Sequence, residues 1–140
     1  MVPLYTDPVR VARINDEIPQ YRESKRANIA CKKAIENLLA ERFDGMRLHG
    51  DCAKELCDEF GTDRVGWILA STVQHFSWDG RFRRHNKLWA DEFLIPTDPD
   101  DRTTDYCVNY HPEIVNGLID QYREYVQTLD EENEHDIELC

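Results

Sequence analysis

Residues 62–76, TDRVGWILASTVQHF, decide the fold that this sequence predicts. At the 100° per residue of an α-helix, one side of the segment is almost entirely apolar. That side carries Val65, Ile68, Leu69, Thr72, Val73 and Phe76. Trp67 falls on the other side, where Gly66 and Ala70 are small. A helix that is apolar on most sides is usually buried at the centre of a domain. We therefore expect this segment, capped by Thr62, to be the central helix.

The other helices follow from apolar periodicity and from the breakers between segments. We predict helices over residues 8–17, 21–43, 51–60, 83–93 and 112–129. Asp7 is predicted to cap the first of them and Pro19 to end it. Short runs at 92–96 and 105–109 flank a polar loop and could pair as a β-hairpin packed on helices.

The predicted fold class is mainly α, a compact single-domain bundle of five or six helices to which that short β-hairpin could be added. Residues 1–129 form the single helical domain, and residues 130–140 form an acidic, frayed C-terminal tail. The apolar faces of the helices predict a set of buried side chains. They are Leu38, Leu56, Ile68, Leu69, Val73, Leu118, Ile119 and Tyr122.

The negative charge of the chain is concentrated in its last third. Residues 94–140 contain thirteen Asp and Glu but two arginines, a balance of −11, whereas residues 1–93 contain fifteen residues of each sign. A separated distribution of this kind attracts basic surfaces at one end and repels nucleic acid there. This charge distribution indicates what kind of partner the protein would attract, but it does not indicate a catalysed reaction.

The composition places the protein in the cytoplasm. Five widely spread cysteines are an odd number, which is typical of reduced thiols and not of a disulfide framework. No run of about 18 apolar residues is present, so we expect no membrane span. The opening residues lack the basic and apolar regions of a secretory signal.

The segment from Trp78 to Trp89, WDGRFRRHNKLW, is the densest candidate site and is called the basic-aromatic strip here. Its candidate nucleic-acid-binding residues are Trp78, Arg81, Arg83, Arg84, Lys87 and Trp89. Cations neutralise phosphates and aromatic rings stack on bases, so the composition suits single-stranded nucleic acid. The alternative is that the aromatics are core residues and the arginines are a solvated rim.

The predicted 21–43 helix also carries a basic row on the side opposite its apolar residues. The row consists of Arg22, Lys25, Arg26, Lys32 and Lys33. Glu23 and Glu36 can pair with it locally, so the simplest interpretation is a solvated helix face.

The acidic residues of the last third form a candidate partner-binding face. They are Asp98, Asp100, Asp101 and Asp105 in and beside one loop, followed by Glu113, Asp120 and Glu124 along the last helix. The three helical residues lie within about 40° of one another. Rows of carboxylates can imitate the phosphates of a duplex and occupy a basic cleft, and the alternative is that they serve solubility.

No motif predicts catalysis, a cofactor or a metal. His49, Cys52 and Cys57 offer three potential ligands, but no second pair completes a tetrahedral site. No glycine-rich phosphate loop or nucleophile elbow is present. We therefore expect a protein that is not an enzyme, with no cofactor and no metal.

Four blocks of the sequence resemble a known family. They are YRESKRANIACKKAIENLLAERFDGM, EFGTDRVGWILASTVQ, WDGRFRRHNKLWA and HPEIVNGLIDQY, in this order between Tyr21 and Tyr125. Together they resemble a numbered domain of unknown function found in conjugative transposons and other mobile elements of gut bacteria. Such a family has no established active site, so the resemblance assigns no residue a role. It implies an accessory protein of a mobile genetic element, and small acidic proteins of such elements are often inhibitors of host defences.

Two functional hypotheses result. The first is a non-enzymatic, acidic inhibitor that binds a basic, nucleic-acid-handling host defence protein, of the anti-CRISPR or anti-restriction type, with a Cas9-like nuclease as a plausible partner. The second is a nucleic-acid-binding accessory module of a conjugative element that uses the basic-aromatic strip. The arrangement of charge separates them, since ion pairs between the strip and the acidic third would remove the nucleic-acid-binding surface.

Overall fold

The computed structural model describes residues 1–94 and 106–139, which contain six helices and no strand. The helices are α1 (Val9–Ile14), α2 (Ile18–Arg42), α3 (Cys52–Phe60), α4 (Thr62–His75), α5 (Arg84–Phe93) and α6 (Pro112–Leu139). α4 packs against α2, α3, α5 and α6, and every residue from Arg64 to Val73 is buried. The predicted mainly helical single domain and its central helix are therefore confirmed.

Three predicted helix termini are wrong. Gly61, at φ 90°, ends α3 and precedes α4, so it takes the cap position assigned to Thr62. Pro8, and not Asp7, precedes the first residue of α1. Pro19 lies in the first turn of α2 and does not stop a helix. Proline is tolerated there because the first-turn N–H groups have no partner within the helix.

The core is the one that helical periodicity predicts, with one correction. Of the eight side chains predicted to be buried, seven are buried, whereas Leu38 is only partly buried and Leu39 takes the interior position. Trp67, on the other side of α4, is also buried and lies 5.5 Å from the Tyr106 ring. Both sides of α4 are therefore covered, as a central helix requires.

The described residues of the predicted hairpin are not strands. Glu92 and Phe93 belong to α5, where Phe93 packs against Trp89 one turn earlier, and residues 106–109 have no regular structure. Residues 95–105 lie outside the described residues. α6 continues to Leu139, so the predicted boundary at residue 129 falls inside this helix. The fraying of residues 130–140 stays a prediction.

A buried arginine fastens the first residues of the chain to the bundle. Arg64 of α4 is 3% exposed and donates to Asn28 Oδ1 at 2.7 Å and to Ser24 Oγ at 3.1 Å. The same guanidinium donates to the carbonyl oxygens of Val2 at 2.7 Å and Pro3 at 3.2 Å. Burial lowers the pKa of Arg64. These bonds tie residues 2–3, α2 and α4 together at one group.

Candidate functional site

The basic-aromatic strip begins with a tightly hydrogen-bonded turn. The buried Asp79 carboxylate accepts the Arg81 backbone N–H at 2.9 Å and the Arg81 Nη2 at 2.8 Å. These hydrogen bonds lower the pKa of Asp79 to about 2. Phe82 is 3% exposed and anchors the turn in the core. The turn is therefore fixed by the buried Phe82 ring and by the hydrogen bonds of the Asp79 carboxylate to Arg81.

The two tryptophans of the strip have different environments. Trp78 is 77% exposed, with the Phe76 ring 6.3 Å away. Trp89 is half-buried, with its ring 5.4 Å from Phe93 and 5.7 Å from Tyr122 of α6. Trp78 can stack on a ligand, whereas Trp89 packs against the core.

The four cations of the strip also divide into two groups. Arg81 is paired with Asp79, and Arg83 Nη1 lies 2.6 Å from Asp120 Oδ2. Arg84 and Lys87 make no ion pair with any described residue. Of the cations predicted to bind phosphate, half are therefore neutralised by neighbouring carboxylates.

Asp120 joins the strip to the acidic last helix. Its Oδ1 lies 3.3 Å from His85 Nε2 and accepts Asn86 Nδ2 at 3.3 Å. Asn86 Nδ2 also donates to Asn116 Oδ1 at 3.0 Å, and Asn116 Nδ2 donates to the Arg81 carbonyl at 2.9 Å. Both asparagines are almost completely buried. Neither asparagine was predicted as a site residue, and Asn116 falls outside the apolar face of the last helix, about 40° from Asp120.

The residues of the predicted acidic face do not share one environment. Glu113 and Glu124 are exposed on α6, whereas the charge of Asp120 between them is compensated by Arg83. Asp98, Asp100, Asp101 and Asp105 lie outside the described residues. Glu113, Asp120 and Glu124 lie on the last helix as predicted. They do not form an uninterrupted row of free carboxylates, because Asp120 is paired with Arg83.

Glu124 instead belongs to a groove of about 390 Å³ between α3 and α6, which we call the acidic groove. It is lined by Asp51, Ala53, Lys54, Gln121, Glu124, Tyr125, Thr128 and Glu132. Its cation, Lys54, is bound to Asp58 at 2.6 Å. Asp51, Glu124 and Glu132 make no ion pair within the described part of the chain. The groove is therefore acidic, with the Tyr125 ring on its wall.

The candidate metal ligands are not gathered into a site. The His49 ring is paired with the Asp44 carboxylate at 2.5 Å, and Cys52 and Cys57 are buried in the core. Burial raises the pKa of the Cys57 thiol to about 12, so it is protonated at neutral pH. In residues 1–94 and 106–139, no three His, Cys, Asp or Glu side chains are grouped as metal ligands would be.

Fold and surfaces together define a small helical domain with an acidic groove and a partly neutralised basic-aromatic strip. The chain belongs to a family of proteins of unknown function, DUF3849, whose profile matches residues 4–127. The predicted resemblance to a numbered domain of unknown function is thus confirmed. No curated protein and no solved structure shows detectable similarity to the chain. Among the described residues, no helix has the length and apolarity needed to cross a bilayer.

Proposed function

We propose that this protein is a non-enzymatic binding protein whose acidic groove receives a basic surface of another protein. The observation that carries the proposal is the groove itself, where Asp51, Glu124 and Glu132 form no ion pair with any described residue while Lys54 is bound to Asp58. Unpaired carboxylates around a concave surface attract and orient cations. Tyr125 adds an aromatic contact, which is common at protein interfaces.

The partner that this chemistry fits best is a nucleic-acid-handling protein, because such proteins have strongly positive channels. We propose an inhibitor of a host defence protein, such as a Cas9-type nuclease or a restriction enzyme, encoded by a mobile genetic element. A cytoplasmic location accompanies this proposal. It is supported by four buried cysteines without disulfides, Cys31, Cys52, Cys57 and Cys107.

Reversing the charge of the groove is expected to weaken this binding strongly. Glu124→Lys combined with Glu132→Lys places two cations where the partner's cations would lie, so the affinity should fall about tenfold or more. The measurement is the affinity for a Cas9-type nuclease or a restriction enzyme, with inhibition of DNA cleavage as a second readout. Asp120 is left unchanged because it compensates Arg83.

The matched control is Glu23→Lys combined with Glu92→Lys, which makes the same change in net charge on exposed positions of α2 and α5. Both double variants should keep the wild-type thermal midpoint, because exposed substitutions usually change stability by less than about 0.5 kcal/mol. Equal weakening by both pairs would show that only net charge matters, and unchanged binding by the groove variant would reject the groove as the contact surface.

A second function is favoured by one observation, the 77% exposure of Trp78 on a turn that Asp79 and Phe82 hold in place. Arg84 and Lys87, which follow on α5, make no ion pair with the described residues. An exposed ring with nearby cations is the minimal element of a single-stranded nucleic-acid site. This nucleic-acid-binding alternative therefore reduces to three residues of the strip.

Titration with a fluorescent single-stranded oligonucleotide tests this alternative. We expect little binding at physiological salt, because two of the four cations of the strip are neutralised by neighbouring carboxylates. Submicromolar binding that is lost in Trp78→Ala and kept in Trp89→Phe would make the strip the functional surface.

A further inference from the structure

The outer face of α2 carries a row of cations that neither proposed function uses. Arg22, Arg26 and Lys33 are exposed and lie within about 40° of one another around the helix. Lys25 is half-buried and lies about 60° from Arg22, on the flank of these three residues. The row is opposite the side of α2 that faces the core. That buried side consists of Ser24, Asn28, Cys31, Ile35 and Leu39.

These four cations, called the α2 row here, have no ion-pair partner among the described residues. Carboxylates are in excess in the chain, with 28 Asp and Glu against 17 Lys and Arg, although Arg84 and Lys87 of α5 likewise form no ion pair with the described residues. Lys32, next to the row, is paired with Glu36 at 3.8 Å, and Arg42 at the end of the same helix is bound to Glu55 at 2.8 Å. Glu23, the nearest carboxylate in sequence, is exposed and forms no ion pair with the row.

From Arg22 to Lys33 the α2 row is long enough to follow a nucleic-acid strand. With a rise of about 1.5 Å per residue, Arg22 and Lys33 are separated by about 16 Å along the axis. A duplex carries a phosphate about every 3.4 Å along each strand, so this length faces several phosphates. Because exposed charges more than about 10 Å apart are largely screened at 0.1 M salt, the local row and not the net charge decides short-range binding.

The composition of this face favours a phosphate backbone over a protein. A protein interface has an apolar centre with a polar rim. The large apolar side chains that are exposed in the described residues lie elsewhere. They are Met1, Ile14, Met46, Trp78 and Leu88. The outer face of α2 therefore offers charge without an apolar anchor, which is the chemistry of sequence-independent backbone binding.

We infer that the α2 row binds the phosphate backbone of a nucleic acid without reading its bases. This surface is separate from the acidic groove, and the inference does not rest on the proposed function. If both hold, the protein contacts a basic protein through α3 and α6, and a nucleic acid through α2.

The test is a titration of a labelled DNA duplex of about 20 base pairs at several salt concentrations from about 50 mM upward. Four phosphate contacts give an expected slope of log affinity against log salt of about −3.6. Arg22→Gln/Arg26→Gln/Lys33→Gln leaves one contact, so its slope should be about −0.9, and its affinity at the lowest salt should fall at least about tenfold.

The matched control is Arg10→Gln/Arg13→Gln/Arg47→Gln, which removes three exposed cations outside α2 and outside the basic-aromatic strip and gives the same net charge. It should keep the wild-type slope. Absence of duplex binding at about 50 mM salt, or an equal loss in both triple variants, overturns the inference. Binding of an acidic protein but of no duplex would also overturn it. Unchanged circular dichroism and thermal midpoints exclude unfolding as the cause.

Discussion

Gly66→Ala is expected to destabilise the protein by about 3 kcal/mol, although alanine is favoured over glycine within a helix by about 1 kcal/mol. A Cβ atom at position 66 would lie 2.7 Å from Phe93 Cζ and 2.8 Å from Tyr122 Cζ, and it would overlap the Tyr122 hydroxyl. Real Cβ atoms do not approach other atoms so closely, so both rings would have to move.

Movement of Tyr122 has a second cost. Its hydroxyl donates to the Thr62 carbonyl at 2.8 Å, and its ring is 3% exposed. Displacing the ring breaks this hydrogen bond and opens the contact between α4 and α6. Overpacking typically costs about 1–3 kcal/mol, and an unsatisfied buried group costs a further 1–3 kcal/mol or so.

The measurement is urea unfolding, where a loss of about 3 kcal/mol lowers the midpoint by roughly 1.5 M if m is about 2 kcal/mol/M. Gly117→Ala in α6 is the matched control, because its Cβ would have Leu48 Cδ1 as nearest neighbour at an ordinary 3.7 Å. It should stabilise the protein by up to about 1 kcal/mol. If Gly66→Ala and Gly117→Ala change the free energy of unfolding in the same direction, the close approach of α4 and α6 at Gly66 is contradicted.

Arg64→Ala is the other substitution with a large expected effect, a loss of about 3 kcal/mol or more. It removes the donor for Asn28 Oδ1 and Ser24 Oγ, and hydrogen bonds from charged donors contribute about 1.5–3 kcal/mol each. The Val2 and Pro3 carbonyls also lose their donor, so residues 1–5 should detach from the bundle.

Hydrogen exchange distinguishes detachment from general loosening. The Tyr5 N–H donates to Ser24 Oγ at 2.9 Å. Its exchange rate, relative to the wild type, should rise more in Arg64→Ala than the exchange rates of amides at the centre of α6. Arg13→Ala, at an exposed position, should change stability by less than about 0.5 kcal/mol. A loss of stability in Arg64→Ala without faster exchange at Tyr5 would show that Arg64 does not fasten the N-terminal residues.

The helices and most of their buried faces could be predicted because their signals are local. In α4 and α6, apolar residues recur within three or four positions, so the side that avoids water is evident from neighbours in the chain. Helix ends were harder, since Gly61 and Pro19 can each start or stop a helix. The choice depends on how consecutive helices pack.

The candidate sites could be predicted as compositions but not as surfaces. Trp78 and Trp89 belong to the same strip, yet one is 77% exposed and the other is covered by Tyr122, which is 33 positions away from it. Arg83 and Asp120 appeared in two separate candidate surfaces, and they form one ion pair. Spacing along the chain contains no information on such pairs.

Local sequence thus determined the mainly α class, the central position of α4 and the excess of negative charge. Tertiary structure alone decided which charges remain free, because neutralisation depends on which helices become neighbours. It buried Arg64 by folding residues 2–3 over it, although an arginine usually indicates a solvated position. It also paired Arg83 with Asp120 and left the α2 row without an ion pair to any residue that the structure describes. The physical reason is that burial of apolar faces sets the helix arrangement, and the polar side chains then pair with whatever partners that arrangement brings within reach.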